Sequence, residues 1–274
     1  MPEGPETRRM ADKIGDALVG EKIISHRFFH DNLLQLNKMR AISVEKVYSI
    51  SKAIVIRLSQ GVSIISHNQL YGKWTFHRPK TRINSNRQLR IKFETKSKII
   101  RLWSATDVRV LKSTDELKHP YISKLGPDVL DENTTELVIL ERLKGKNSFN
   151  RQLSSVLLDQ AIVSGLGNYL RSEILYFCGL NYKNKPSELN QSKLFRLSKS
   201  IKDVSIRAYV QKGRTIDIGY FEHEFGNRSN FGKIRHMVFS RDKQPCFKCG
   251  ARIIKMIVSK RRIFSCPVCQ KLDK

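Results

Sequence analysis

The sequence of 274 residues lacks the features that would assign it to a membrane or a secreted class. It has no run of about 18 apolar residues, so we expect no transmembrane helix. Its start, Met-Pro-Glu-Gly-Pro-Glu, has the wrong chemistry for a secretory signal peptide. Cysteines are few and odd in number, and four of the five lie in the last 30 residues, which favours a metal site over disulfides. We therefore expect a cytoplasmic protein.

Acidic residues are scarce relative to basic ones. The chain has 25 Asp and Glu against 51 Lys and Arg, which leaves a net charge of +26. Solubility does not require so large an excess, so we interpret it as the electrostatic footprint of a polyanion, nucleic acid first and an anionic membrane surface second. A hydrophobic fraction of 40% and an aromatic fraction of 8% fit a globular core and exclude a mainly disordered chain.

The first 125 residues combine one helical pattern with several strand patterns. Met10, Ile14 and Leu18 recur every four positions ahead of Gly20, which predicts an amphipathic helix. Runs rich in Ile, Val and aromatic residues predict strands at 22–29, 44–58, 62–66, 73–77, 89–94 and 99–104. Many short strands with turn signals favour an antiparallel β-sandwich or barrel over a parallel sheet.

The periodicity becomes helical after residue 126. Helical patterns cover 134–143, 151–164, 168–177 and 189–210, with Asn168 as a predicted N-cap after the break at Gly165-Leu166-Gly167. Residues 215–232 carry no period and are predicted to form a loop. We expect an α+β multidomain protein with a sandwich domain at 1–125, a helical domain at 126–232 and a cysteine module at 233–274.

Four cysteines near the C terminus form two pairs separated by 16 residues; they are Cys246, Cys249, Cys266 and Cys269. Two thiolate pairs at this spacing supply the four tetrahedral ligands of a closed structural Zn²⁺ site, which we favour over incidental thiols or a redox pair. The residues between the pairs predict a β-hairpin with a basic turn at 259–262. We expect one zinc ion to hold Arg261 and Arg262 rigidly at the tip of this hairpin.

The amino terminus contains a candidate nucleophile. Removal of Met1 would expose the secondary amine of Pro2, and an α-amino group titrates near pH 8, roughly, so that part of it is neutral at physiological pH. A neutral amine beside a sugar carbon can form an iminium, with Glu3 and Glu6 available for proton transfer. Viewed alone, the same segment is more typical of an ordinary helix start, where glutamates complement the helix dipole.

Five motifs together resemble one protein family. In order, they are Pro2-Glu3-Gly4-Pro5-Glu6, Ser66-His67-Asn68-Gln69-Leu70-Tyr71-Gly72, Leu157-Leu158-Asp159-Gln160, Gly165-Leu166-Gly167-Asn168-Tyr169-Leu170 and the four-cysteine module. The chain resembles the formamidopyrimidine-DNA glycosylase/endonuclease VIII family over nearly its whole length, and within it the bacterial endonuclease VIII branch. The resemblance implies an N-terminal helix with a β-sandwich, a helix–two-turn–helix domain and a zinc finger, with damaged double-stranded DNA bound between the two halves.

The resemblance implies an enzyme that removes oxidised bases and then cuts the strand at the abasic site. It implies that Pro2 is the Schiff-base nucleophile, Glu3 the proton donor and Lys52 a strand lysine that assists β-elimination. Arg261 matches a finger arginine that grips phosphate and is assigned to the final elimination. For Lys52, an ordinary solvated charge is the alternative.

The same resemblance implies DNA-binding residues. Gln69, Leu70 and Tyr71 match a contiguous wedge that fills the gap left when a nucleotide leaves the stack. The alternative is that the Leu and Tyr are core residues, but their polar flanks favour an exposed turn. Asn168 matches a phosphate ligand at a helix N terminus. Lys124 stands where close relatives carry arginine, so it retains the charge without the bidentate geometry.

Several functions fit these patterns to different degrees. The contiguous wedge favours an enzyme for oxidised pyrimidines over a formamidopyrimidine and 8-oxoguanine specialist. An inactive DNA-damage-binding protein on the same scaffold is disfavoured because Pro2, Glu3, Lys52 and Arg261 are all present. A zinc-ribbon transcription factor would explain the charge and the cysteines but not the amino-terminal pattern. We expect a monomer that needs no protein partner.

Overall fold

The computed structural model describes residues 2–217, 219, 223 and 234–272. The chain divides into two compact units, Met1–Lys124 and Leu125–Lys274. Most of the loop predicted at 215–232 lies outside the described residues. Within the part of the chain that the structure describes, no helix combines the length and the apolar character that crossing a membrane requires.

Unit 1 is a sandwich of two antiparallel sheets with one helix, as predicted. Its elements are α1 (Gly4–Leu18), β1 (Ser25–Phe28), β2 (Val44–Ile50), β3 (Ala53–Leu58), β4 (Val62–His67), β5 (Lys73–His77), β6 (Leu89–Glu94), β7 (Ile99–Trp103) and β8 (Asp107–Lys112). The first sheet has the order β1-β6-β7-β5 and the second the order β2-β3-β4-β8. Buried side chains from α1 and from both sheets form the core between them, including Ile14, Phe28, Ile56 and Phe93.

The run predicted as one strand at 44–58 is a hairpin of two strands. Ile50 pairs with Ala53, so Ser51 and Lys52 form the tight turn between β2 and β3. Ser51 has a φ of +56°, a left-handed conformation that reverses the chain. The prediction failed because the apolar residues continue on both sides of the turn without a glycine or proline to mark it.

The second sheet buries its other face beneath residues 113–124, which we call the cover segment. This segment contains 3₁₀ turns at Ser113–Lys118 and Ile122–Lys124. Ile122 packs with Ala53, Val55 and Ile65 of the sheet in a small apolar cluster. The second sheet is therefore covered on both faces, which explains the continuous apolar sequence of β3.

Unit 2 is helical, with a β-hairpin near its end. Its elements are α2 (Glu136–Lys144), α3 (Leu153–Val156), α4 (Asn168–Cys178), α5 (Gln191–Val210), β9 (Ile254–Val258) and β10 (Arg261–Ser265). The apolar faces of α2, α4 and α5 form its main core, which includes Leu140, Leu170, Ile174 and Ile201.

The helix predicted at 151–164 is much shorter than expected. Only α3 is helical there, and the backbone beyond it pairs with another segment of unit 2. Ser164 N–H donates to the Pro127 carbonyl at 2.9 Å, and Gly126 N–H donates to the Gln160 carbonyl at 2.8 Å. These bonds satisfy the backbone groups that a longer helix would have used.

Candidate functional site

The first turn of α1 holds Glu3 in a buried position. Glu3 is the N-cap residue and is 6% exposed, while Pro2 before it is half-buried. The Glu3 carbonyl accepts hydrogen bonds from both the N–H and the hydroxyl of Thr7, each at 3.0 Å. The Glu3 N–H donates to Oε2 of Glu6 at 3.1 Å. The backbone on the carboxyl side of Pro2 is therefore rigid, with a buried carboxyl residue adjacent to the predicted nucleophile.

Lys52 lies in the β2–β3 turn and not in a strand, which corrects the prediction. It is half-buried, and its neighbour Ser51 is 1% exposed. The Ser51 hydroxyl is 3.1 Å from the hydroxyl of Tyr121 in the cover segment. A short turn that is anchored on both sides presents a lysine more rigidly than an open loop would.

His67 lies beside this turn and was not predicted as a site residue. It pairs with Ala53 across the sheet, and its ring centroid is 4.5 Å from that of Tyr121. Burial lowers the pKa of His67, and the charge of Lys52 lowers it further, against an opposing effect of Asp107. The sequence signal was a histidine at the end of an isoleucine-rich strand, which is too common a pattern to single out.

Gln69, Leu70 and Tyr71 form an exposed turn after β4. Leu70 and Tyr71 are 67% and 66% exposed, so neither is a core residue. Gln69 has a φ of +46° and accepts a hydrogen bond from the Thr106 hydroxyl at 3.0 Å. A Cβ at Gly72 would lie 2.7 Å from the Asn68 backbone, so this tight turn requires glycine.

Asn168 is the first residue of α4, and Gly167 is the N-cap in its place, which corrects the prediction. Gly165, with a φ of +97°, turns the chain into this helix. The first backbone N–H groups of α4 have no partner within the helix, as at every helix N terminus. The side chain of Asn168 lies at the end of α4 where an anion would be attracted.

Arg171 connects Asn168 to the β9–β10 hairpin, and the sequence did not indicate it. Its guanidinium is 1% exposed and donates to the carbonyls of Ser154 at 2.7 Å and Arg262 at 2.9 Å. A weaker bond of 3.5 Å joins it to Oδ1 of Asn168. A buried arginine that binds backbone carbonyls fixes two segments relative to each other.

The basic turn predicted at 259–262 is shorter than expected. Ser259 and Lys260 alone form it, both with positive φ, and Arg261 pairs with Val258 as the first residue of β10. A two-residue turn with two left-handed residues matches the right-handed twist of a hairpin. Arg261 and Arg262 are both exposed and stand on successive positions of one strand.

Glu173 also anchors this part of unit 2. Its carboxylate is fully buried and accepts hydrogen bonds from the Thr215 hydroxyl and from the backbone N–H groups of Met237, Val238 and Phe239, at 2.5 to 2.9 Å. Four donors compensate the burial of one charge. The segment that precedes the cysteines is thereby held against α4.

The four predicted zinc ligands lie together. The Sγ atoms of Cys246, Cys249, Cys266 and Cys269 are all within 4.8 Å of one another, so they can hold a metal ion. The hydroxyl of Tyr176 in α4 is 3.4 Å from Sγ of Cys246. Burial opposes ionisation of Cys246, but the hydrogen bonds of Tyr176 and nearby backbone N–H groups outweigh it and lower its pKa to about 7.

Lys124 is exposed at the end of the cover segment, where its N–H is 3.4 Å from the carbonyl of Tyr121.

Within unit 1, the structure brings Lys52 and His67 together. Within unit 2, it brings Asn168 to the hairpin that carries Arg261.

Two family models match the chain. The formamidopyrimidine-DNA glycosylase N-terminal domain matches residues 1–112, and the formamidopyrimidine-DNA glycosylase H2TH domain, the helix–two-turn–helix, matches residues 125–218. The first match lies in unit 1 and the second in unit 2.

Curated relatives match over the full length. Endonuclease 8 of Klebsiella pneumoniae subsp. pneumoniae is 39% identical over 274 residues, which covers 98% of this chain and 100% of the relative. Endonuclease 8 of Escherichia coli is 36% identical over 271 residues, with the same coverage.

Solved structures share the fold at lower identity. The Lactococcus lactis formamidopyrimidine-DNA glycosylase in complex with DNA containing an oxidised pyrimidine has a TM-score of 0.81 at 21% identity and covers 99% of this chain and all of its own. The same enzyme bound to DNA with an abasic site has a TM-score of 0.79 at 22% identity, with 98% and 100% coverage. At this identity, the likeness establishes the fold alone.

Proposed function

The chain belongs to the formamidopyrimidine-DNA glycosylase family, and we propose that it excises oxidised pyrimidines from double-stranded DNA and then nicks the strand by β,δ-elimination. Members of this family are DNA glycosylases with abasic-site lyase activity, so the chain is an enzyme of base excision repair. The observation that carries the mechanism is the buried Glu3 held next to Pro2 at the start of α1.

The first step uses Pro2 and Glu3. With Met1 removed, the neutral amine of Pro2 attacks C1′ of the damaged nucleotide, and the bond to the base breaks, with its electron pair leaving on the base. Glu3 supplies the proton that opens the sugar, and the result is an iminium between Pro2 and C1′. The iminium acidifies C2′, so loss of a C2′ proton expels the 3′ phosphate as an anion.

Lys52 assists that β-elimination, and Arg261 assists the second elimination, which expels the 5′ phosphate. Lys52 fits this role because the anchored β2–β3 turn fixes its backbone. Arg261 fits because a planar guanidinium can bind a phosphate through two hydrogen bonds at once.

The remaining predicted residues bind the DNA. The exposed Leu70 and Tyr71, with Gln69, fill the space left by the extruded nucleotide, and burying them there compensates part of the lost stacking. Asn168 binds a phosphate at the N terminus of α4, and Lys124 contributes a point charge.

The four-cysteine cluster holds one structural Zn²⁺. Four thiolates within tetrahedral reach match a closed zinc site, and such a metal contributes folding energy rather than chemistry. We further propose three functional regions, with catalysis in 1–125, phosphate binding in 126–232 and a zinc finger in 233–274. The enzyme acts in the cytoplasm as a monomer.

Borohydride trapping on a duplex that contains thymine glycol tests this function. The reductant should convert the iminium into a stable amine and leave the protein cross-linked to the DNA. Pro2→Gly should lose the cross-link, whereas Glu3→Gln should lose base removal and retain some cleavage of a preformed abasic site. A cross-link at the wild-type rate in Pro2→Gly would exclude Pro2 as the nucleophile.

The same assay separates the alternatives. Faster trapping on 8-oxoguanine than on thymine glycol would favour the formamidopyrimidine-type enzyme. Tight binding to both duplexes without any cross-link would indicate an inactive damage-binding protein.

A further inference from the structure

A polar cluster lies at the end of the second sheet, directly behind the Lys52 turn. It consists of Ser51, His67, Asp107, His119 and Tyr121, drawn from the β2–β3 turn, two strands and the cover segment. We propose that His119 and Tyr121 are positioning residues that set the geometry of Lys52. This inference rests on the role that we propose for Lys52 in strand cleavage.

The register places the strand residues of this cluster in one row at the end of the sheet. His67 pairs with Ala53 on one side and with Asp107 on the other, so the three lie side by side on one face. Ala53 immediately follows Lys52. The cover segment crosses this face, and its His119 and Tyr121 lie against the row, His119 beside Asp107 and Tyr121 against His67.

His119 fixes the backbone of the cover segment. Its side chain is 1% exposed, and its Nδ1 accepts a hydrogen bond from the Tyr121 N–H at 3.2 Å. Because Nδ1 is the acceptor, the neutral ring carries its hydrogen on Nε2, which is 3.9 Å from Oδ1 of Asp107. His119 therefore holds Tyr121 through its backbone, and the His119 ring lies beside Asp107.

Tyr121 connects His119 to the turn. Its hydroxyl is 3.1 Å from the Ser51 hydroxyl, and its ring stacks obliquely against His67 at 4.5 Å. Ser51 has a φ of +56°, which a residue with a side chain seldom adopts without support from its surroundings. The contact with Tyr121 supplies that support, and the direction in which Lys52 leaves the turn depends on it.

The cluster contrasts with the row beside it. That neighbouring row of the same face is covered by apolar contacts of Val55, Ile65 and Ile122. Buried polar groups are costlier than apolar ones, and His119 Nε2 is buried without a hydrogen-bond partner within the described residues.

The test is single-turnover cleavage of a duplex with a preformed abasic site, at saturating enzyme. Tyr121→Phe keeps the ring and removes the hydroxyl, and we expect cleavage to slow by roughly five- to tenfold, the factor for one lost hydrogen bond. His119→Ala should slow it similarly, whereas His119→Asn, whose Oδ1 can still accept from the Tyr121 N–H, should recover most of the rate.

The matched control is Tyr48→Phe. Tyr48 also contacts the cover segment through its hydroxyl, which bonds Glu116, but at the opposite end of the same face. It should therefore lose comparable stability and cleave at the wild-type rate. An equal loss of cleavage in Tyr48→Phe and Tyr121→Phe would show that the cover segment acts on the fold alone.

A double-mutant cycle assigns the effect to Lys52. In a Lys52→Ala background, Tyr121→Phe should slow cleavage no further, because the group that it positions is gone. Additive losses would overturn the proposal. If the wild-type protein cleaves but Lys52→Ala cleaves equally fast, the enzyme activity stands and the positioning role is wrong.

A measurement that does not depend on activity tests the positioning role separately from the proposed enzyme function. After reductive ¹³C-methylation, the NMR signal of the Lys52 methyl groups, assigned by its loss in Lys52→Arg, should shift in Tyr121→Phe and remain unchanged in Tyr48→Phe. An unshifted signal in Tyr121→Phe would overturn the positioning role even if wild-type cleavage were never detected.

Discussion

The guanidinium of Arg171 donates a hydrogen bond to the backbone carbonyl of Arg262, and it also reaches the side chain of Asn168. The helix that begins at Asn168 and the strand that begins at Arg261 are therefore joined by one buried side chain. Two residues with separate proposed contacts to DNA phosphates share this support. Neither position can shift without disturbing the hydrogen bonds of Arg171.

Arg171→Met should separate these two elements. The change leaves the carbonyls of Ser154 and Arg262 without their donor, so we expect a loss of about 2–4 kcal/mol in the free energy of unfolding of unit 2. Affinity for an abasic-site duplex should fall as well. Urea unfolding followed by the helical circular dichroism signal measures the first effect, and fluorescence anisotropy measures the second.

Arg151→Met is the control for the loss of an arginine. Arg151 pairs with Asp159 at the surface, where its side chain is 43% exposed, so its removal should cost at most about 1 kcal/mol. If the two variants have the same free energy of unfolding and the same affinity for DNA, Arg171 contributes no more than a surface arginine does. Its hydrogen bonds between α4 and β10 would then have no effect on stability or binding.

Sequence-based prediction succeeded in this protein where a short pattern is compatible with only one structure. The spacing of Cys246, Cys249, Cys266 and Cys269 predicted the cluster because four thiolates at two paired positions match one coordination geometry. The sandwich followed from many short runs rich in Ile, Val and aromatic residues, separated by turn signals. In contrast, the helix predicted at 151–164 failed because tertiary hydrogen bonds to residues 126–129 replaced helical ones.

Residues that act through long-range contacts were missed. His119 is 52 positions from His67 in the chain, and only the fold brings both beside Asp107, which pairs with His67 and lies 3.9 Å from the His119 ring. In the sequence, Arg171 cannot be distinguished from an ordinary charged residue of a helix. Its role is visible only in the fold, where its guanidinium donates to the carbonyl of Arg262. Register and side-chain partners of this kind cannot be read from local periodicity.

Loss of a cysteine ligand should release the hairpin without unfolding the sandwich. We expect one zinc ion per wild-type chain and none in Cys249→Ser, with strongly reduced affinity for an abasic-site duplex. Elemental analysis gives the metal content. Both tryptophans, Trp74 and Trp103, lie in unit 1, so their fluorescence should remain native in the variant.

Cys178→Ser is the control for the loss of a thiol. Cys178 is buried among the helices of unit 2, outside the cysteine cluster, so this variant should retain its zinc and its DNA affinity. Full DNA affinity in metal-free wild-type protein would mean that the hairpin does not depend on the metal.

The stability of unit 1 should fall in mild acid because of His119. Burial lowers the pKa of His119 below its ordinary value of 6.5, with an opposing effect of Asp107 and a further lowering by Arg109. As the pH falls through 6.5, the unfolded chain gains a proton on this ring before the folded chain does, which favours unfolding. Stability should therefore be full above about pH 6.5 and fall as the pH drops below that value.

His119→Asn should make this dependence shallower, since it removes one buried titrating ring while that of His67, whose pKa burial also lowers, remains. Urea unfolding followed by tryptophan fluorescence reports unit 1 specifically. Parallel curves for wild type and His119→Asn would exclude His119 as the source of the pH dependence.

Arg261, Lys260 and Arg262 are adjacent cations, so a model based on charge alone predicts similar losses when any one is neutralised. The hairpin geometry predicts otherwise. Lys260 lies in the two-residue turn, whereas Arg261 and Arg262 occupy successive positions of β10 and point to opposite faces. Only one of the two arginines can therefore face a bound phosphate directly.

Arg261→Ala should lower the rate of strand cleavage even when all DNA is bound, because a two-bond contact to the departing phosphate is lost. Lys260→Ala and Arg262→Ala should mainly weaken binding in a salt-dependent way, and their effect should shrink at saturating enzyme. Single-turnover cleavage of a lesion duplex at two salt concentrations separates these outcomes. Equal rates for the three variants at saturation would mean that the hairpin contributes charge alone, and that Arg261 does not contact the reacting phosphate.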